Sequence, residues 1–239
     1  MERITAHELQ KSIKGTPILH SADLSVESGE ICALIGPNGV GKTTLIKCIL
    51  GLAYLEYGTV QINGTILSTI TQAEIALNIG AVLQYPASIS SLTVDQLFLE
   101  HFHYLGLKIP NSWNEYLRKV GLSVPTGMQI GKMSLGMKQR LLLAVALAHT
   151  PNILILDEPF NGLDVDGIVL IKDILKELSN NKVSILVASH SLSELEDVAT
   201  SVVFMLDGKT RTKKDVKDIL REYEGGLHQY YQHIKKGGQ

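Results

Sequence analysis

GPNGVGKTT, residues 36–44, follows the apolar run EICALI and precedes the helix-like LIKCILGL. It fits the pattern G-x-x-x-x-G-K-[ST] at Gly36, Gly41, Lys42 and Thr43. A strand that passes through such a loop into a helix makes a cradle for anions. Glycines let the backbone curl so that several N–H groups point inward, and the helix that follows adds the positive end of its dipole. Lys42 is placed to reach the β- and γ-phosphates of a nucleotide, and the Thr43 hydroxyl is placed for Mg²⁺. The expected ligand is a nucleoside triphosphate, held by Gly36, Pro37, Asn38, Gly39, Gly41, Lys42, Thr43 and Thr44.

Two continuous apolar runs lie downstream, NILILDEP (152–159) and KVSILVAS (182–189), separated by the helical VDGIVLIKDILKEL. Runs of this kind read as strands buried on both faces, as in a parallel sheet covered by helices. In an open α/β sheet, an aspartate at the carboxyl end of such a strand lies beside the phosphate loop. Asp157 is therefore expected to hold Mg²⁺ through water, and Glu158 to polarise an attacking water as general base. This pair favours hydrolysis over storage of the nucleotide.

The rest of the chain sets bounds. It has 239 residues, 45% hydrophobic and 19% charged, which reads as globular, with a formal net charge of −2 that gives no drive toward nucleic acid. The opening MERITAHELQ has no apolar signal segment, and no stretch approaches the ~20 apolar residues of a membrane span. A cytosolic chain, or one held at a membrane by a partner, is expected. Cys32 and Cys48 lack metal-type spacing and read as core residues, and His101 and His103, at i and i+2, cannot face one metal on a helix. Strand-like runs (TPILHSADLSV, GEICALIG, GTVQING, IGAVLQ) dominate the first 84 residues, with Gly58, Asn63 and Gly64 marking hairpins. Thr71/Glu74, Thr93/Gln96 and Ser191/Glu194 predict capping boxes. Residues 85–134 read as a helical insert, with 1–84 and 135–220 as the catalytic core and 221–239 as a short, frayed tail.

Five stretches in fixed order resemble the nucleotide-binding subunits of ATP-binding-cassette (ABC) transporters: GPNGVGKT, Gln84 closing IGAVLQ, SLGMKQR, ILILDEPFNGLD and Ser189-His190. The resemblance implies one α/β domain of the P-loop NTPase type. This has a RecA-like parallel-sheet core, an N-terminal antiparallel β subdomain and a helical subdomain insert. It also implies ATP and Mg²⁺ as cofactors, and Gln84 as a contact to Mg²⁺ or water that reports nucleotide state to a membrane-spanning permease. Asp164 would bridge two cassettes, and His190 would touch the γ-phosphate.

KMSLGMKQR (132–140) holds no catalytic acid, base or metal ligand. Where the family usually has LSGGQ, this chain has Met133-Ser134-Leu135-Gly136-Met137, keeping the serine and the second glycine. Ser134 offers a hydroxyl at a helix start, and Gly136 permits close backbone approach. The resemblance implies a second phosphate site that closes over ATP on an opposite subunit, in a head-to-tail homodimer. At subfamily level it points to bacterial drug- and lantibiotic-type exporters, peripheral at the cytoplasmic face of the membrane. YPASISSLTV, after Gln84, is the expected contact with the permease. The family's usual adenine-stacking aromatic falls here near Ile13, which predicts relaxed base selectivity. A rival reading is an ABC-type ATPase acting on nucleic acid or ribosomes. Such proteins generally carry two cassettes or a long coiled coil, and this sequence has neither.

Overall fold

Two long strands, β1 (Glu2–Ile13) and β2 (Thr16–Glu27), lead into β3 (Ile31–Ile35), the phosphate loop and helix α1 (Lys42–Ile49). A hairpin of β4 (Tyr57–Ile62) and β5 (Thr65–Ile66), helix α2 (Gln72–Ala76) and strand β6 (Ile79–Val82) follow. Helices α3 (Val94–Tyr104) and α4 (Asn114–Lys119) lie between 3-10 turns at Ala87–Ser91 and Ile130–Lys132. Then come α5 (Leu135–Leu147), β7 (Ile153–Asp157), α6 (Val165–Asn180), β8 (Ser184–Ser189) and α7 (Leu192–Leu195). Strands β9 (Ser201–Leu206), β10 (Lys209–Thr210) and β11 (Lys214–Asp215) precede helices α8 (Val216–Glu222) and α9 (Gly226–Lys235). This computed structural model describes residues 1–237; residues 238 and 239, the end of the expected tail, lie outside it.

The strands form two sheets. One is antiparallel, in the order β2-β1-β4-β5; the other runs β10-β9-β3-β8-β7-β6, with β11 also pairing β9. Within the second, β9, β3, β8, β7 and β6 are mutually parallel. Every residue of β3, β7, β8 and β9 is buried, which explains why each is a continuous apolar run with polar residues only at its ends. The strand period of two sends alternate residues to opposite faces. Ile31, Ala33 and Ile35 join a core with α3, α5 and α6, while Cys32 and Leu34 join a second core with α1 and the antiparallel sheet. Together these make an α/β P-loop NTPase fold. In the helical segment, Phe98 stacks on Trp113 with centroids 4.9 Å apart, and the Trp113 indole N–H donates to Asp95 Oδ1 at 2.7 Å.

Several sequence expectations need correction. β1 carried no strand signal, because its pairing is broken by bulges and only scattered positions, Ile4, Ala6 and Leu9, are buried. Asn63 and Gly64 do turn the β4–β5 hairpin, but Gly58 lies inside β4, opposite the bulge at His7–Gln10. Thr93 and Gln96 form both bonds of a capping box. Thr71 does not: its hydroxyl is taken by a local turn, donating to the Ile66 carbonyl at 2.8 Å. Ser191 makes no side-chain cap either; its N–H is tied to the Ser189 hydroxyl at 3.0 Å. The described part of the tail, 221–237, is not frayed. Helix α9 buries Leu227, Tyr230 and Ile234, and Tyr231 stacks on Phe204 of β9 at 5.3 Å.

Candidate active site

Strand register brings the chemistry to one edge. Ile35 pairs with Ser189, Asp157 with Ala188 and Val82 with Leu156, so β3, β8, β7 and β6 all end together. The segments leaving those ends carry the phosphate loop, Ser189-His190, Asp157-Glu158 and Gln84. They border a cavity of about 390 Å³ lined by Ile18, Asn38, Gly39, Gly41, Lys42, Thr43, Thr44, Gln84, Glu158, Asn161 and His190. The carboxyl ends of parallel strands are where open α/β sheets bind ligands.

Gly41 caps α1 in the left-handed region at φ 113°, where a side chain would also sit 2.8 Å from Met205. That conformation starts the helix directly under the loop. The Lys42 ammonium folds back into the loop, donating to the Gly36 carbonyl at 2.7 Å and lying 3.5 Å from Glu158 Oε1. Pro37 offers its carbonyl at 3.4 Å from the same ammonium.

Thr43 donates its hydroxyl to Asp157 Oδ2 at 2.6 Å, while Asp157 Oδ1 is buried with no hydrogen-bond partner among the described residues. Burial holds the Asp157 carboxyl above the ordinary aspartate range, with the Thr43 hydrogen bond opposing the shift. An orphaned carboxylate oxygen beside a hydroxyl is the hard-oxygen donor set that Mg²⁺ prefers, so the residues present fit that ion.

Glu158 is held at φ 52°, left-handed for a non-glycine residue, by its N–H bond to the Ala188 carbonyl at 2.8 Å. That turn aims the carboxylate into the cavity. Its Oε2 lies 2.9 Å from His190 Nδ1 and accepts from the Ser189 hydroxyl at 3.2 Å. Glu158 is thus bracketed by Lys42 on one oxygen and by Ser189 and His190 on the other. Such strained residues persist where surrounding structure over-determines them.

Six expected residues do not line this cavity: Gly36, Pro37 and Asp157 hydrogen-bond residues that do, whereas Ser134, Gly136 and Asp164 have no such tie. Ser134 caps α5, accepting from the Met137 N–H at 3.2 Å, and Asp164 caps α6, accepting from the Gly167 N–H at 2.9 Å. The two caps adjoin, because a Cβ on Gly136 would fall 2.9 Å from the Gly162 carbonyl oxygen. They form a separate exposed patch.

The sequence missed Ile18, Asn161 and the hydroxyl of Ser189 as parts of the site. Ile18 carried no signal; the other two sat inside recognised stretches with no individual role. Ile13 is 47% exposed and does not border the cavity, whereas Ile18 does. Ile18, Asn38 and Gly39 also border an adjoining cleft, which Pro37, His20 and Lys235 of α9 help to line.

The chain matches the model of the ABC transporter family over residues 19–161. It is 36% identical to the bacitracin transport ATP-binding protein of Bacillus licheniformis over 207 residues, 86% of this chain and 67% of that protein. It is 33% identical to the lantibiotic transport ATP-binding protein of Streptococcus pyogenes, again over 207 residues, 87% of this chain and 88% of that one. Among solved structures, an ATP-binding subunit of an ABC transporter superposes with a TM-score of 0.86 at 26% identity, covering 97% of this chain and 99% of that one. A bacterial ABC transporter cassette solved as a dimer gives 0.79 at 24% identity, covering 89% and 98%, a likeness of fold.

Proposed function

The chain belongs to the ABC transporter family, as an ATP-binding, ATP-hydrolysing cassette; from that premise we propose that it drives a separate membrane-spanning permease in export. Of the expected cargoes, a drug, a peptide antibiotic or a lipid-like substrate, the names of two relatives, a bacitracin and a lantibiotic transport protein, favour the peptide antibiotic. Among the described residues no helix is long and apolar enough to cross a membrane, so the permease supplies the path. The cassette sits peripherally at the cytoplasmic face.

In this reading the phosphate loop, Gly36 to Thr44, takes the triphosphate, and Lys42 turns from Gly36 and Glu158 to the β- and γ-phosphates. Thr43, Asp157 and Gln84 would hold Mg²⁺, which when bound neutralises phosphate charge. Glu158, freed from Lys42, accepts the proton of the attacking water. Ser189 and His190 keep its carboxylate aimed, and His190 reaches the γ-phosphate. Ser134 and Gly136 of a second, identical chain close over the nucleotide head to tail, with Asp164 bridging the pair. ATP closes the dimer, hydrolysis reopens it, and the permease converts that motion into alternating access. The permease docks on the helical insert at 85–134, through the segment that follows Gln84.

The observation that carries this reading is the pair of incomplete sites. The cavity has the base Glu158 and the phosphate loop, while the helix start expected as a second phosphate site, at Ser134, lies outside it. The test is affinity purification of the tagged chain from detergent-solubilised membranes, with mass spectrometry. A stoichiometric protein with several membrane spans is the expected companion. Recovery only in the soluble fraction, alone or with ribosomes, would overturn the transport role.

A further inference from the structure

Tyr85 follows Gln84 directly, and its half-buried ring faces the first turn of α5. Lys138 Nζ lies 4.9 Å from the centre of that ring. Within α5, the Lys138 N–H donates to the Ser134 carbonyl at 3.0 Å. A second thread runs the same way. The Tyr85 hydroxyl is 2.9 Å from the Ser90 hydroxyl, and the Ser90 carbonyl oxygen packs so tightly on Gly131 that a Cβ there would sit 2.9 Å from it. Gly131 belongs to the 3-10 turn that delivers Ser134. Backbone bonding from Ile130 N–H to the Leu92 carbonyl, at 2.9 Å, holds the turn beside the Ser90 segment.

We propose that Tyr85 and Lys138 are positioning residues that tie the orientation of Gln84 in one chain's nucleotide cavity to the placement of that chain's Ser134 helix. The proposal rests on the roles given above to Gln84 and Ser134. Gln84 is exposed at the cavity and Ser134 at the separate patch, and no hydrogen bond or ion pair among the described residues joins the two directly. An ammonium over an aromatic face is attracted to the ring's negative quadrupole, so displacement of Tyr85 with Gln84 drags the start of α5. Each cassette would then present its Ser134 correctly only when its own cavity is filled.

The test is a double-mutant cycle read in ATP turnover, with single-chain ATP affinity measured alongside. Tyr85→Leu and Lys138→Met are each expected to lower kcat about threefold, the size of a half-exposed cation–π contact. ATP affinity should hold, since neither residue lines the cavity. The double variant should lose about threefold and not the ninefold of independent sites. Lys138→Arg, which keeps the cation, should retain turnover, and Tyr85→Phe, which keeps the ring and loses only the Ser90 contact, should retain most of it. Additive losses, or a Tyr85→Phe variant as impaired as Tyr85→Leu, would overturn the tie. If the wild-type chain hydrolyses no ATP, the functional reading itself has failed, and hydrogen exchange then decides the tie. Added ATP should alter protection of the Leu135–Lys138 amides in wild type and less so in Tyr85→Leu; equal changes in both would refute it.

Discussion

Ser134→Asp separates the two jobs assigned to one side chain. The Ser134 hydroxyl accepts from the Met137 N–H at 3.2 Å and so caps α5. Aspartate caps a helix about as well as serine and complements the dipole, so stability should change by no more than ~0.5 kcal/mol. The triphosphate of an opposing subunit would instead meet a carboxylate. Two unit charges ~4 Å apart at an effective dielectric of ~20 repel by roughly 4 kcal/mol. Spent at the transition state, that lowers hydrolysis by about 10³-fold. Ser134 does not line its own chain's cavity, so single-chain ATP affinity should stay within about twofold. Phosphate release, nucleotide titration and a thermal melt on one preparation give all three readings. Hydrolysis within about tenfold of wild type would refute the reasoning, and so would a large loss of single-chain ATP affinity, which would place Ser134 in its own chain's site.

Other expectations follow from the same geometry. Asp157→Asn removes the orphaned carboxylate charge next to Thr43, so the Mg²⁺ concentration for half-maximal hydrolysis should rise by about tenfold or more; an unchanged Mg²⁺ titration would remove Asp157 from the metal site. With aliphatic Ile18 at the cavity and no aromatic at Ile13, about 1 kcal/mol of ring stacking is missing, and GTP should be hydrolysed within about fivefold of ATP. A strong preference for ATP would show that the base is read elsewhere. His101 and His149 face each other at 3.0 Å; burial lowers both, His101 to about 4. Folded, they stay neutral while the unfolded chain takes up protons below pH ~6.5, so stability present above that pH falls between pH ~6.5 and about 4. His101→Phe should flatten the fall in urea midpoint across this window; an unchanged slope would exclude the pair as its source.

What the sequence disclosed depended on how a residue is buried. β3, β7 and β8 are covered on both faces, so ICALI, the ILIL of ILILD and the ILVA of SILVAS are unbroken apolar runs, legible at sight. β1 lies in the half-solvated antiparallel sheet, where bulges break the alternation that would reveal it. Helix α9 did carry Leu227, Tyr230, Tyr231 and Ile234 at helical spacing, hidden behind Gly225-Gly226 and among polar neighbours. Lys42, Asp157 and Glu158 could be found because phosphate chemistry dictates residue type and spacing, and His190 only through the resemblance carried by the order of the motifs. Ile18 and the Ser189 hydroxyl could not, since only strand register brings them to the cavity edge. Capping patterns fail likewise when, as at Thr71, a nearer carbonyl captures the hydroxyl.

Completion of each site by a second chain is tested most directly by Glu158→Gln. The amide keeps the shape between Lys42 and His190 but is a far weaker base, so ATP binds and closes the dimer without being consumed. Light scattering on this variant should report a monomer without nucleotide and a dimer with ATP and Mg²⁺. A monomer at saturating ATP, or a dimer indifferent to nucleotide, would contradict a nucleotide shared between two chains.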